Sequence, residues 1–337
     1  MTTHGVRMET GQLSVDLRRR IGRLRHITGF VTTYGQEVDP RLSVFARLWH
    51  VKRVVSTADR LSGLTESLDG AKIERLAWLH DLNRWPFAHN SEKGFFDQAA
   101  NVREYFLSRS PTIGTQDIDD LVGIHLKDPS VISAEGRIVL FADSLTGVIE
   151  DPLFTVCGLN VHPRIIPQSV SDMLGFSLLA DPWYASCFQL AEEFHRAENP
   201  DVEFFQKQFH ELFGALLSEF IDVHRIDSLE EGQEDLFAIA RTVKETFMRP
   251  VIFPLNNEKV CHSSWLRQEV MPWYLAHVPD ARQRLLEIDE DGFVELVTQI
   301  GGSPFTAREF IPDLGYVRRE APEMAFIGPG ESRGRAL

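Results

Sequence analysis

Apolar residues recur at spacings of three and four along most of this chain, a rhythm that leaves little room for anything but helices. Leu13, Leu17, Ile21 and Leu24 form one such stripe. Residues 42–64 repeat the pattern, and Ile73, Leu76, Ala77 and Leu79 continue it. Side chains three or four positions apart share a helix face, so each stripe must be buried against another element. Pro86 lacks a backbone N–H and must end the third helix at or before Trp85. Asn90 or Ser91 offers an N-cap for a following helix to about Leu107. Further helices are expected over residues 117–126, 135–148, 184–196, 202–224, 230–247 and 263–276. Alternating strand patterns are scarce, with residues 251–253 the one short candidate. Phe204, Phe205, Phe209 and Phe213 sit at helical spacing, which reads as core packing before it reads as a ligand pocket.

The expected fold is therefore all-α. Its 337 residues are 43% hydrophobic and 25% charged, an ordinary globular balance. No Pro/Gly/Ser-rich linker divides them, so we expect one helical domain over residues 1–337, with accessory helices at about 160–325. Apolar runs such as residues 138–142 are too short to span a bilayer, and residues 1–11 lack the apolar stretch of a signal peptide. Cys157, Cys187 and Cys261 form no Cys-x-x-Cys pair, and so sparse a set fits a reducing, cytoplasmic setting. The net charge of −14 argues against broad nucleic-acid binding, which needs a basic footprint. A small anion held by a metal and a few local cations remains compatible with it. Residues 328–337, rich in Gly and Arg, are expected to be loose.

Against this background a few polar residues stand out. His50 lies inside an amphipathic helix, and His80 and Asp81 are adjacent at the end of the next. Asp143 follows on a third helical segment. A lone helical His is ordinarily polar filler or a cap, a His-Asp pair arises by chance, and a single Asp fits a solvated face. Together, on successive helices, they make a mixed nitrogen and oxygen ligand set. Adjacent helical residues point about 100° apart, so one ion touches both His80 and Asp81 only if other helices supply ligands opposite. Such a set suits one divalent transition metal (Mn, Fe, Co, Ni or Zn), and Mg less well because of the imidazoles.

The order His, His-Asp, Asp on helices resembles the HD superfamily of metal phosphohydrolases. The stretch His80-Asp-Leu-Asn-Arg-Trp-Pro-Phe-Ala-His-Asn-Ser-Glu92 is similar to the deoxyguanosine triphosphate triphosphohydrolase branch, whose pattern reads His-Asp-x-Gly-x-Pro-Pro-Phe-Gly-His-x-Gly-Glu. Arg47-Leu-Trp-His50 resembles its Arg-x-x-His, and Phe141-Ala-Asp-Ser-Leu, followed by Glu150-Asp151, resembles its Ala-Asp segment. Asn83 and Ala88 stand where that pattern has Gly, and Arg84-Trp85 replaces the pair before Pro. The resemblance covers about residues 18–155. It implies an HD-domain helical fold, with the HD core at about 41–150, and hydrolysis of a deoxynucleoside triphosphate to nucleoside and tripolyphosphate. It also implies a nucleotide as small-molecule partner and assembly into a homo-oligomer.

His89 and Glu92 follow His80 by nine and twelve residues. An imidazole there can donate a proton to a leaving oxygen or order a water, and a carboxylate three residues on can orient it. The alternative is that His89 caps a helix and Glu92 favours its first turn. Arg84, His125 and Lys127 are substrate-binding candidates, although a solvated charge or a helix end explains each equally well. A nucleoside monophosphate phosphatase and a non-catalytic nucleotide sensor are the alternatives to a triphosphohydrolase. A di-iron oxygenase needs more histidines than the motif region supplies.

Overall fold

Helices account for all the regular secondary structure in the residues that this computed structural model describes, which are 13–28, 39–64, 67–110, 113–224, 233–254, 262–305 and 313–328. The expectations for residues 1–11, residues 230–232, Cys261 and residues 329–337 lie outside them. In chain order the helices are α1 (Val15–Arg23), α2 (Arg47–Ser62), α3 (Gly70–Leu79), α4 (His89–Glu92), α5 (Gln98–Arg109) and α6 (Thr115–Leu126). Then come α7 (Ala134–Cys157), α8 (Gln168–Leu174), α9 (Asp181–Arg196), α10 (Val202–His224) and α11 (Gln233–Val243). The last described elements are α12 (Ser263–Trp265), α13 (Met271–His277), α14 (Ala281–Leu285), α15 (Glu290–Ile300) and α16 (Tyr316–Glu320). Two isolated bridges, Thr28 to Ala46 and Val161 to Ala325, are the only β pairing among the described residues. No helix is long and apolar enough to cross a membrane among those residues.

Short polar side chains set the starts. Ser14 accepts the Leu17 N–H, Asp69 those of Ala71 and Lys72, and Ser133 that of Gly136. The long apolar α7 is buried along most of its length, and α2, α3, α6, α9, α10 and α11 pack around it. It runs to Cys157, past the expected stop and through Pro152. The helix expected over residues 90–107 is instead broken. Gly94, at φ +87°, ends the short α4 segment, and Asp97 recaps the chain by accepting the Ala100 N–H at 3.0 Å. Residues 251–253 are helical, not a strand. They continue the π-helical stretch Lys244–Ile252, in which Phe247, Met248 and Ile252 are buried on one face. Three apolar residues are too few for alternation to separate strand from helix.

The turn between α3 and α4 is held from both ends of the chain. Arg20 of α1 donates to the carbonyls of Leu82 (3.0 Å) and Arg84, and also to Ile288 (2.6 Å). Glu290, fully buried at the start of α15, accepts the N–H groups of Phe87 (3.1 Å) and Thr28 (3.2 Å). Phe87 and Ala88 have φ of +62° and +39°, a left-handed backbone that side chains disfavour and that surrounding contacts must impose. Glu290→Ala removes a buried acceptor that two backbone N–H groups share, so it should lower the unfolding free energy by about 2–4 kcal/mol in urea titration. A loss within about 0.5 kcal/mol would mean that the turn is held without Glu290, by Arg20 and packing.

Candidate metal centre

The packing of α2 and α3 against α7 brings the polar residues of all three to one place. His50 sits at the end of the first turn of α2, with Arg47 and Arg53 three residues to either side. His80 is the C-cap of α3, and Asp81 begins the turn after it. Asp143 and Glu150 lie seven residues apart on α7, on one face. Ligand atoms of His50, His80 and Asp81 all fall within 4.8 Å of one another. Asp143 Oδ1 is 3.2 Å from His50 Nε2 and 3.7 Å from His80 Nε2.

The hydrogen bonds around the two imidazoles settle which nitrogen faces inward. His50 Nδ1 lies 2.6 Å from Glu150 Oε2, and Glu150 is anchored in turn by the Arg53 guanidinium, whose Nε is 2.8 Å from Oε1. His80 Nδ1 lies 2.7 Å from the Ala77 carbonyl. Both Nδ1–H groups are therefore donated outward, and both Nε2 lone pairs point at the shared space. His80 Nε2 is buried and has no hydrogen-bond partner among the described residues. An orphaned buried nitrogen beside two carboxylates is what a cation would satisfy. Burial disfavours the charged form of Asp81, yet the Arg47 and Arg84 guanidiniums outweigh it and hold the carboxyl well below the usual range. His50, His80 and Asp81 could thus hold a divalent ion, and Asp143 Oδ1 stands beside them within reach of both imidazoles.

These residues line a cavity of about 370 Å³. Arg84, His89, His125 and Lys127 share its wall with them, so eight of the nine residues singled out in the sequence converge. His125, on the last turn of α6, keeps a buried Nε2 with no partner among the described residues, and burial pushes its pKa down to about 3. Lys127 follows in a left-handed conformation at φ +55°.

Glu92 is the exception. It lies behind Arg84, accepting the Trp85 N–H at 3.0 Å and Arg84 Nη1 at 2.8 Å. Its Oε2 is 3.8 Å from His89 Nδ1, too far to hydrogen-bond the imidazole that it was expected to orient.

Three groups escaped the motif reading. Glu150 supports His50, and its signal was the seven-residue spacing from Asp143. Asp151 lines the cavity with its pKa raised to about 6 by burial and by Glu150 beside it. Lys244 also lines the cavity, where α11 passes into its π-helical continuation, and its ammonium is pushed below its ordinary value by burial and by Lys127. Nothing near Lys244 in sequence marked it.

The chain matches no protein-family model and no curated protein. Two substitutions separate ligand from support. His80→Ala should abolish stoichiometric binding of Zn(II) or Co(II) in calorimetry. Glu150→Gln should keep the site but weaken it by about 10–100-fold, because it loosens the His50 tautomer. Equal affinity in wild type and both variants would remove the metal centre.

Proposed function

We propose that this chain is a metal-dependent phosphohydrolase of the HD type, acting on a nucleotide phosphoester and most specifically on a deoxynucleoside triphosphate. The observation that carries the reading is the pairing of two inward Nε2 lone pairs with Asp81 and Asp143, in a cavity that also gathers Arg47, Arg84, Lys127 and Lys244. The proposal extends to the HD helical fold, with residues of about 41–150 as its core and the later helices as accessory parts of one domain. A homo-oligomer in the cytoplasm belongs to the same reading.

The cation that the four ligands would hold supplies Lewis-acid polarisation of a phosphate oxygen. The chain's own groups supply the rest. Arg47 and Arg84 fix Asp81 as a carboxylate and place positive charge beside the reacting phosphate. Lys127 and Lys244 add two further cations to the cavity wall for the remaining phosphate charge. His89, at the rim, is placed to hydrogen-bond the leaving oxygen or a water. The resemblance in residues 78–92 assigns the scissile bond to the nucleoside oxygen and α-phosphate, giving nucleoside and tripolyphosphate.

A monophosphate phosphatase uses the same metal ligands but needs fewer cations than the four that line this cavity. The presence of Lys244 in the cavity favours the longer phosphate chain. A metal-supplemented screen of nucleotides, with phosphate, pyrophosphate and tripolyphosphate resolved, tests the class. His89→Ala should retain metal while losing about 10²–10⁴ in turnover. A parent rate in that variant would leave a metal-only hydrolase, and no turnover of any nucleotide would favour a sensor. Lys244→Ala should raise KM on the order of tenfold for a triphosphate while leaving a monophosphate unchanged. Equal shifts for both would return the monophosphate reading to the front.

A further inference from the structure

Arg84 stands where it can decide the chemistry of His89. Its Nη1 lies 3.3 Å from His89 Nδ1. A guanidinium has only donors, so a hydrogen bond between them requires a lone pair on Nδ1. A proton at Nδ1 would instead face both an N–H and a fixed positive charge. Arg84 has little freedom to turn away. Its Nε donates to Asp81 Oδ1 at 3.0 Å, the same Nη1 donates to Glu92 Oε2 at 2.8 Å, and the side chain is buried. The carboxylate that might have taken the Nδ1 proton is committed elsewhere, with Oε1 on the Trp85 N–H and Oε2 on Arg84.

We propose that Arg84 is a positioning residue that holds His89 as a neutral imidazole with its proton on Nε2, so that His89 presents a fixed N–H donor to the cavity and does not cycle between acid and base. Its catalytic meaning rests on the phosphohydrolase reading, whereas the tautomer does not. The charges facing His89 agree with it. Arg84, Asp81 and Glu92 belong to its own turn, Arg47 comes from α2, and Lys244 comes from the end of α11. Three cations stand against two carboxylates. The Arg84 guanidinium pushes the imidazole below its ordinary pKa, and because the His89 side chain is 62% exposed, solvent rather than burial surrounds the rest of the ring. The left-handed Phe87–Ala88 backbone, pinned by Glu290, delivers His89 to this place at the start of α4.

The assignment changes what His89 does. A neutral imidazole keeps its Nε2 proton and stabilises charge on an oxygen by hydrogen bonding, without transferring the proton to it. Protonation of a leaving oxygen then falls to solvent. Glu92 acts at one remove, by fixing Arg84.

Nitrogen NMR of the full chain, labelled at histidine and loaded with Zn(II), reads the tautomer directly. His89→Ala assigns the resonances among the 12 histidines. His89 should show an unprotonated Nδ1 and a protonated Nε2, with its titration displaced below that of an ordinary imidazole. Arg84→Gln should return the titration toward about 6.5 and admit the other tautomer. Arg84→Lys, which keeps a donor and a charge, should preserve the wild-type state in part. A wild-type His89 that carries its proton on Nδ1, or titrates near 6.5, overturns the proposal, even if no Arg84 variant folds. The two readings fail separately. The expected tautomer without hydrolysis of any nucleotide removes only the enzymatic reading. Hydrolysis by a protein whose His89 is protonated on Nδ1 removes only the role of Arg84.

Discussion

The Glu150 carboxylate is the contact on which the centre depends. It is buried on α7 and is bound by two residues of α2, His50 and Arg53. A charge taken out of water is tolerated only where it is paired and hydrogen-bonded. Glu150 meets that condition because Arg53 is held on its other side by Gln206 Oε1 at 3.2 Å and lies over the rings of Phe154 and Phe209. One carboxylate therefore ties α2 to α7, reaches α10 through Arg53, and chooses the nitrogen that His50 turns inward. Without it the same helices could pack, but the imidazole would have no reason to present Nε2.

A similar economy governs the turn that carries Asp81, Arg84 and His89. Its carbonyls are taken by Arg20 from α1 and one of its N–H groups by Glu290 from α15. Elements more than sixty residues away in sequence, on either side, thus hold the strained backbone whose side chains enter the cavity. The later helices contribute Lys244 to the wall as well. Their contribution is then geometric and electrostatic: they immobilise the turn and add a cation whose charge reaches Asp143 and Asp151.

Much of this was legible in the sequence, for a physical reason. Three/four spacing is a direct record of which helix faces are buried, so α1, α3, α6, α9 and α10 were readable from their stripes, and residues 202–224 match α10 end to end. The cluster of His50, His80 and Asp81 was readable because His50 follows its helix register and His80-Asp81 falls where α3 ends. What could not be read depended on side chains meeting across the fold. The break between α4 and α5 turned on the backbone at Gly94 and a better cap at Asp97. Lys244 carries no motif, because its place in the cavity comes from how α11 packs on α7. The separation of Glu92 from His89 was equally invisible: three residues apart along the chain says nothing about a guanidinium lying between them.

That guanidinium also gives the departures from the resembled pattern a common logic. Ala88 takes φ +39° where the pattern has Gly, a conformation for which a side chain carries a steric penalty. The penalty is tolerated because Glu290 fixes the N–H of Phe87 just before it. Arg84 replaces one of the residues before Pro86, and a residue with five donors and no acceptor needs carboxylates at hand. Asp81 and Glu92 supply them. Their two charges are paired with Arg84, and with Arg47 in the case of Asp81, so Asp81 offsets only part of the Arg84 field at His89. A turn built around a neutral or acidic residue at position 84 would leave Glu92 free to pair with His89 and favour an imidazolium. With arginine there, the electrostatics of the whole turn run the other way, and His89 is left to act through the hydrogen that it keeps.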